Sequence, residues 1–212
     1  MGINYTSPTY YSHVLKEHFP SSGLLLLKLI GTLPTSLGKL EHLQQLFVGS
    51  NHLNGTIPIS LSKLEQLSSL SMQDNDLQGT IPEGLITLTR LKSLHLDHNN
   101  LTGTIPSTLG ALALSLLDLT ASDNLLTGSL PASLGRVAKR GRVVDFSYNR
   151  LHGEIPVELC LARNMFLIGT NITNRCSEIC RDKQYRVSHG GGVMLYSVMY
   201  LYSPALIFKI FE

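Results

Sequence analysis

Five carboxylate and imidazole side chains precede, by one to four positions, asparagines that recur along the chain: Asp74, His95, Asp97, His98 and Asp123. Carboxylates accept hydrogen bonds and imidazoles donate or accept them, so this set predicts a polar, mildly acidic surface that binds a peptide or a sugar. A metal site made of His95, Asp97 and His98 is the weaker interpretation, because ligands arranged on one ribbon lack a closed geometry. We therefore predict neither a metal nor a cofactor.

Two aromatic residues lie at the ends of the polar set and could stack on a ligand. Phe47 stands four positions before the first repeated asparagine, and Tyr148 stands one position before the last. The alternative interpretation is that all of these are ordinary solvated side chains on a spacer. The predicted ligand-binding residues are Phe47, Gln73, Asp74, His95, Asp97, His98, Asp123, Asp145 and Tyr148.

The chain offers no recognisable catalytic constellation. The glycines at 190–192 precede no lysine-serine pair, so they do not form a phosphate-binding loop. No kinase catalytic loop is present, and no serine stands in a nucleophile-elbow context. The sequence therefore predicts a binding protein and not an enzyme.

A repeated phrase positions these residues. It reads LIGTLP at 29–34, LNGTIP at 53–58, LQGTIP at 77–82, LTGTIP at 101–106, LTGSLP at 126–131 and LHGEIP at 151–156. The asparagines ahead of the last five copies are separated by 24, 24, 25 and 25 residues, and a period in the twenties indicates a solenoid. These asparagines form a predicted structural ladder: Asn51, Asn75, Asn99, Asn124 and Asn149.

Each repeat also predicts its local conformation. Apolar residues five and three positions before the asparagine show strand alternation, with both side chains facing inward. The asparagine ends the strand, and its amide is expected to bond backbone groups of the turn and to stack along successive coils. Glycine four positions later allows a conformation or close approach that a side chain would block. Proline at the seventh position suits either a strand end or the start of the convex segment. One repeat carries an extra residue near 111–113, and the next lacks an apolar anchor at Gly141.

The pattern LxxLxxLxLxxNxLxGxIPxxLxxL closely resembles the leucine-rich repeat, in the subtype typical of plants and related algae, over about residues 24–168. The resemblance implies an α/β-type repeat solenoid, a right-handed coil of about six repeats with a parallel β-sheet on its concave side and little regular helix. It also implies a second short strand after each LxG. The polar and aromatic set would then lie on the concave face.

The functional expectation follows from this resemblance. The chain is similar to the ectodomain of leucine-rich repeat receptor-like proteins, which implies a non-enzymatic module that recognises a peptide, glycan or protein and signals through a co-receptor or a further domain. One alternative is a secreted inhibitor of cell-wall-degrading enzymes, which would present the same face. Another is a truncated array without independent activity.

The flanks differ from the repeats. Residues 1–23 are predicted to be an N-terminal cap or a truncated flank. Residues 169–189 are predicted to be a cysteine-containing cap, and Cys160, Cys176 and Cys180 are the disulfide candidates. Residues 190–212 form an apolar tail, and its segment 190–208 carries no charge over 19 residues, so membrane association is one interpretation and a tail without function is the other.

The net charge and the glycosylation sequons indicate the kind of partner and the cellular location of the protein. The formal net charge of +2 argues against a nucleic-acid partner. No signal peptide is visible in the chain, but the sequons at Asn54, Asn100 and Asn171, together with the cysteines, favour a secretory route. We therefore expect an extracellular or cell-surface glycoprotein that takes part in signal transduction, with a membrane association through 190–208 left open.

Overall fold

Each copy of the repeated phrase forms one coil, made of a short strand, a turn, a second short strand and a 3₁₀ segment. The computed structural model describes residues 22–23, 28–138, 142–160, 162, 164–173 and 176. In chain order the strands are β1 Ser22–Gly23, β2 Ile30–Thr32, β3 Gln45–Phe47, β4 His52–Asn54, β5 Ser69–Ser71, β6 Gln78–Gly79, β7 Ser93–His95, β8 Asn100–Leu101, β9 Asp118–Thr120, β10 Thr127–Gly128, β11 Val143–Asp145, β12 Arg150–Glu154, β13 Met165–Phe166 and β14 Asn171–Thr173.

The first strand of every coil joins one parallel sheet, whose order is β1-β3-β5-β7-β9-β11-β13. The register places equivalent apolar residues side by side, as in the pairs Leu46–Leu70 and Leu70–Leu94. These central residues are fully buried, whereas the residues on either side of them face the other way. The predicted parallel sheet and leucine-rich repeat coil are therefore confirmed.

The second strands form smaller parallel sheets along one flank, β2-β4, β6-β8 and β10-β12-β14. Isolated bridges from Thr56 to Gln78 and from Thr104 to Thr127 link the flank between these sheets. In β4 the side chains alternate, because His52 and Asn54 are exposed while Leu53 is buried. The flank is thus half-buried, and its outward side chains form a surface separate from that of the seven-stranded sheet.

The rest of each coil is a 3₁₀ segment, and regular helix is scarce. The 3₁₀ segments are Thr35–Lys39, Ile59–Lys63, Glu83–Thr87, Ser107–Leu114, Ala132–Leu134 and Val157–Leu159, and a short α-helix, α1, spans Gly135–Ala138. The proline of the repeated phrase stands directly before each 3₁₀ segment in extended conformation, as Pro58 and Pro82 do. The proline prediction is confirmed, since its fixed φ suits the entry into such a segment.

The sequence predicts two irregular coils, and their described residues show how each one departs from the regular coil. The extra residue near 111–113 lengthens the 3₁₀ segment Ser107–Leu114, and Leu114 is left 80% exposed. In the next coil, Val137 and Ala138 of α1 are buried. Residue 141, where the anchor is lacking, lies outside the described residues.

The core is a continuous ribbon of buried aliphatic side chains from Leu29 to Leu159. A ribbon of this kind stabilises each coil mainly through its two neighbours. At its C-terminal end, a disulfide joins Cys160 to Cys176 across a Cα–Cα distance of 5.2 Å. Cys180 lies outside the described residues, so its state stays a prediction.

The predicted flanks are described only in part. Strand β1 lies within the predicted cap 1–23, and β14 lies beyond residue 168, so strands are found slightly outside the predicted array on both sides. The apolar segment 190–208 lies outside the described residues. Among the described residues, none of the helices has the length and apolar character that crossing a membrane requires.

Candidate functional site

A buried asparagine closes the turn after five of the seven strands of the concave sheet, namely β3, β5, β7, β9 and β11. Asn75 is typical: its Oδ1 accepts a hydrogen bond from the Leu53 amide at 2.9 Å. Its Nδ2 donates to the carbonyls of Val48 at 3.0 Å, Met72 at 3.1 Å and Gln73 at 3.1 Å. Each repeated asparagine thus ties its own coil to the preceding one, as predicted for the ladder of Asn51, Asn75, Asn99, Asn124 and Asn149.

The residue before each of these asparagines adopts a left-handed backbone conformation. The φ angles lie between 50° and 55° at Ser50, Asp74, His98, Asp123 and Tyr148. None of them is glycine, and the left-handed region costs an ordinary L-residue roughly 1–2 kcal/mol. The sequence analysis missed this conformation, although the fixed position beside the asparagine was a signal. The turn therefore places four of the predicted site residues, Asp74, His98, Asp123 and Tyr148, at the edge of the concave face.

The glycine of the repeated phrase serves both purposes that were expected of it. At Gly79 and Gly103 φ is 74° and 77°, so a side chain there would be strained. A Cβ atom on Gly79 would also lie 2.9 Å from the Cγ2 of Thr56 in the preceding coil. These glycines let neighbouring coils approach each other closely along the flank.

Asp97 lies at the centre of the concave face and is hydrogen-bonded to the next coil. Its Oδ1 accepts bonds from the backbone amide of Ser122 at 2.9 Å and from the Ser122 hydroxyl at 3.0 Å. Its Oδ2 accepts a bond from the Thr120 hydroxyl. Part of the hydrogen-bonding capacity of Asp97 is therefore used in joining β7 to β9, a role that the spacing of Thr120 and Ser122 one repeat later could have indicated.

Several other side chains on the concave side of the sheet are buried against their neighbours. Ser71, Thr120 and Ser147 are buried, with 5%, 1% and 4% of their surface exposed. The Ser71 hydroxyl donates to Oε1 of Gln73 at 2.5 Å, which orients the Gln73 side chain. The surface open to a ligand is thus narrower than the sequence pattern indicated, and it centres on the residues next to the asparagines.

Three predicted residues lie in a row across the middle of this open surface. The His98 Nδ1 atom lies 3.5 Å from Oδ2 of Asp123, and their side chains are 57% and 45% exposed. One coil earlier, Oδ2 of Asp74 accepts a hydrogen bond from the Ser50 hydroxyl at 3.2 Å. Asp74, His98 and Asp123 occupy equivalent positions on three successive coils, so the imidazole is placed between two carboxylates.

Phe47 and Tyr148 remain at opposite ends of the face, as expected. Four strand spacings separate them, which corresponds to roughly 19 Å. Tyr148 is 54% exposed, and its ring lies against Gly169, where a Cβ atom would approach the ring within 2.6 Å. Phe47 and His95 are half-buried. The two aromatic side chains therefore cannot stack on the same small group and would contact separate parts of an extended ligand.

Asp145 lies beside the other carboxylates. Burial raises the pKa of the Asp145 carboxyl above its ordinary value of 3.8, and repulsion from Asp97 and Asp123 raises it further. Hydrogen bonds from Ser147, including one from its amide at 2.9 Å, lower this pKa but do not cancel the increase. The carboxylates of the face therefore repel one another, and a positively charged group would relieve that repulsion.

We expect the exchange Asp145→Asn to raise the melting temperature at neutral pH. Because its pKa is raised on folding, the native protein holds the Asp145 proton more tightly than the unfolded chain does. Stability therefore falls as pH rises from 3.8 through the higher folded pKa. An asparagine side chain does not ionise, so the variant avoids this loss of stability. Its Oδ1 atom can still accept the hydrogen bond from the Ser147 amide. Thermal denaturation should show a gain that vanishes below pH 3.8, whereas Asp76→Asn, at an exposed carboxylate, should change nothing. A lower melting temperature at neutral pH would contradict the argument.

No group of three or more histidine, cysteine, aspartate and glutamate side chains within the described ranges is placed to hold a metal ion. His95, Asp97 and His98 follow one another along a single strand and turn. The chemistry that the described face offers is therefore hydrogen bonding and charge, together with aromatic contact at its ends.

The coil, its asparagine ladder and its concave sheet define a class of protein. Residues 42–64, 66–88 and 90–112 match the family model described as Leucine Rich Repeat. The chain belongs to the leucine-rich repeat family, and it resembles the ectodomains of plant leucine-rich repeat receptors. No curated protein matches it in sequence.

Solved structures share the fold. The ectodomain of the receptor kinase GASSHO1/SCHENGEN3 from Arabidopsis thaliana, in complex with CASPARIAN STRIP INTEGRITY FACTOR 2, is 33% identical over 79% of this chain and 20% of that chain, with a TM-score of 0.70. The plant peptide hormone receptor RGFR1, in complex with RGF2, is 40% identical over 69% of this chain and 23% of that chain, with a TM-score of 0.64. A plant ice-binding protein is 33% identical over 68% of this chain and 47% of that chain, also with a TM-score of 0.64.

This chain spans between a fifth and a half of the length of those three proteins. Two of them are receptors in complex with CASPARIAN STRIP INTEGRITY FACTOR 2 or with RGF2, and the third is an ice-binding protein. The fold therefore serves more than one kind of binding, and the side chains of the face must decide which one applies.

Proposed function

We propose that this chain is an extracellular, non-enzymatic recognition module that binds a peptide or a peptide segment of a protein on its concave face. The observation that carries the proposal is the row of Asp74, His98, Asp123 and Tyr148. These side chains are exposed although their backbone is left-handed, a conformation in which glycine would be less strained. Strained residues concentrate at binding sites, where the strain preorganises the contacting groups.

The charge of the face favours a ligand with basic residues. Asp74, Asp97, Asp123 and Asp145 lie on or beside the open surface, and burial, followed by repulsion from Asp97 and Asp123, raises the pKa of Asp145. A lysine or arginine of the ligand would form charge-assisted hydrogen bonds with these carboxylates. Phe47 and Tyr148 would contact the two ends of an extended peptide. The similarity to two plant receptor ectodomains bound to RGF2 and to CASPARIAN STRIP INTEGRITY FACTOR 2 supports this class of ligand.

Signalling would require a further component, because a recognition module only binds its ligand. We propose a co-receptor that recognises the complex, as the sequence led us to expect. The ice-binding relative and the sequence-based alternative of an enzyme inhibitor use surfaces of the same fold for other targets. The targets of these alternatives differ from a peptide in size and chemistry, so one binding experiment distinguishes the alternatives from the proposed function.

The test starts from random peptides displayed on phage and selected on the immobilised full chain. We expect the selected peptides to be enriched in lysine and arginine. The double variant Asp74→Asn/Asp123→Asn should weaken their binding at least about tenfold, because it removes two charge-assisted contacts of more than about 1 kcal/mol each. Asparagine tolerates the left-handed conformation, so the fold should be unaffected.

The matched control is Glu65→Gln/Glu83→Gln, which removes the same charge from exposed positions outside the concave strands. It should leave the affinity unchanged. An equal loss in both double variants would indicate general electrostatic attraction instead of a site. If no peptide were selected while a folded cell-wall-degrading enzyme bound tightly, the inhibitor function would replace the proposed one.

A further inference from the structure

Two leucines are exposed at the edge of the seven-stranded sheet where strand β9 begins. Leu114 is 80% exposed at the end of the lengthened 3₁₀ segment, and Leu117, which directly precedes β9, is 46% exposed. Because the strands are parallel, this edge lies opposite the row of Asp74, His98 and Asp123, which follow their strands. We call the two residues Leu114 and Leu117 the leucine edge.

The other coils show that the fold does not require leucine at these two positions. Counted back from the ladder asparagine, Leu114 stands at the tenth position and Leu117 at the seventh. The three preceding coils carry polar residues there, namely Glu41, Glu65 and Thr89 at the tenth position and Gln44, Ser68 and Lys92 at the seventh. None of these six side chains is buried. The two leucines therefore keep apolar surface in water that the solenoid does not need, which is typical of a contact surface.

Hydrogen bonds hold the leucine edge in place. The amide and the hydroxyl of Ser115 donate to the carbonyl of Leu112 at 3.0 Å and 3.2 Å. The Leu117 amide donates to the carbonyl of Lys92 at 2.7 Å, and the Leu117 carbonyl accepts a bond from the Val143 amide at 3.1 Å. The conformation that exposes the leucines is thus set before any partner binds, which lowers the entropic cost of binding.

Positive charges flank the leucine edge on both neighbouring coils. In the preceding coil, Lys92 occupies the position equivalent to Leu117 and is exposed, as is Arg90 two residues earlier. In the following coil, Arg142 occupies that position, and its guanidinium donates to the carbonyl of Leu114 at 3.4 Å. Lysine and arginine side chains attract carboxylates and form charge-assisted hydrogen bonds with them. The surroundings of the leucine edge therefore favour an acidic partner.

We propose that the leucine edge binds a second protein, through a segment that presents apolar side chains flanked by carboxylates. The apolar side chains would cover Leu114 and Leu117, and the carboxylates would lie against Arg90 and Lys92. Asp118 follows the leucine edge in sequence but is half-buried, so positive charge predominates at the surface. Two leucines bury too little area to hold a protein on a bilayer, whereas a protein interface gains most of its affinity from a few side chains within a polar rim.

The test uses helical miniproteins displayed on phage with one randomised face, selected on the immobilised full chain that carries Asp74→Asn/Asp123→Asn. This exchange removes carboxylates of the proposed peptide site, so the outcome here is independent of peptide binding on the concave face. We expect the selected faces to be enriched in leucine, isoleucine or phenylalanine together with aspartate and glutamate. Selected faces that lack this acidic enrichment would overturn the proposal.

The variant Leu114→Glu/Leu117→Ser, made in the same background, locates the binding surface. It introduces the residue types that Glu65 and Ser68 supply at the equivalent positions two coils earlier, so it should fold normally. We expect it to weaken the binding of the selected miniproteins at least about tenfold, because it removes the apolar contact and adds a negative charge. Circular dichroism and thermal denaturation verify that the variant is folded.

The matched control is Ile59→Glu/Val157→Ser, which removes two apolar residues that are 61% and 49% exposed and adds the same charge. Both residues begin a 3₁₀ segment, and Glu83 and Ser107 begin the equivalent segments of other coils. The control should leave the affinity unchanged. Equal losses in the two double variants would mean that the miniproteins adhere to any exposed apolar residue, and the proposal would be wrong.

Two further measurements test other occupants of the leucine edge. Analytical ultracentrifugation over a range of protein concentrations reports self-association, and flotation with vesicles that contain anionic phosphatidylglycerol reports membrane binding. We expect neither to depend on the leucine edge. A dimer that Leu114→Glu/Leu117→Ser abolishes would identify a second copy of the chain as the occupant, and vesicle binding that the same variant abolishes would identify a bilayer. Either result would replace the proposed protein partner.

Discussion

Replacing Asn99 by leucine is expected to lower the free energy of unfolding by about 3–5 kcal/mol. The exchange removes three hydrogen bonds donated by Nδ2, each worth about 1 kcal/mol. It also removes the acceptor for the amide of Leu77, a fully buried residue, at 3.0 Å. An unsatisfied buried amide costs a further 1–3 kcal/mol or so. The carbonyls of Met72 and Leu96 keep one partner each, from Asn75 and Asn124, which limits the loss.

Urea denaturation followed by circular dichroism measures this effect, on protein from which glycans have been removed. The control is Asn100→Leu, the same exchange at the adjacent exposed residue, which should change stability by no more than about 0.5 kcal/mol. Because a repeat array is stabilised between neighbouring coils, the Asn99 variant is also expected to unfold in two steps. Similar stability of the two variants would show that the asparagine ladder does not hold the coils together.

Replacing Gly110 by alanine is expected to have the second largest effect, a loss of about 2–3 kcal/mol. The added Cβ atom would lie 2.5 Å from the carbonyl oxygen of Ser133 in the next coil. A backbone atom cannot move aside without shifting the whole coil, and overpacking of this kind costs about 1–3 kcal/mol. The φ angle at Gly110 is not in the left-handed region, so the effect would report on the distance between coils alone.

Gly84→Ala provides the control for this prediction. Its Cβ atom would approach the Cδ1 atom of Ile59 within 2.6 Å, but Ile59 is 61% exposed and its end can rotate away. We expect a change below about 1 kcal/mol, since alanine also reduces the entropy of the unfolded chain. Thermal denaturation of both variants measures the difference. A loss at Gly84 as large as that at Gly110 would mean that the 3₁₀ segments, and not the spacing of the coils, respond to the added methyl group.

The periodic part of this protein was determined by its sequence. The ladder asparagines, Gly79, Gly103 and the proline before each 3₁₀ segment specify a coil, because each sets a local backbone conformation or makes an equivalent contact with the preceding coil. The same residue at the same position meets the same neighbours in every coil. A single repeat therefore contains almost all the information needed to place its strands, its turn and its buried leucines.

The tertiary structure decided how the coils use their outward side chains. Asp97 looks like a free ligand-binding carboxylate until Thr120 and Ser122 of the next coil are seen to bond it. The choice of Cys176 as the partner of Cys160 and the accessibility of Asn100 beside the buried Asn99 are not visible in the spacing. These features depend on contacts between residues about one repeat apart, which exist only once the coils have stacked in register.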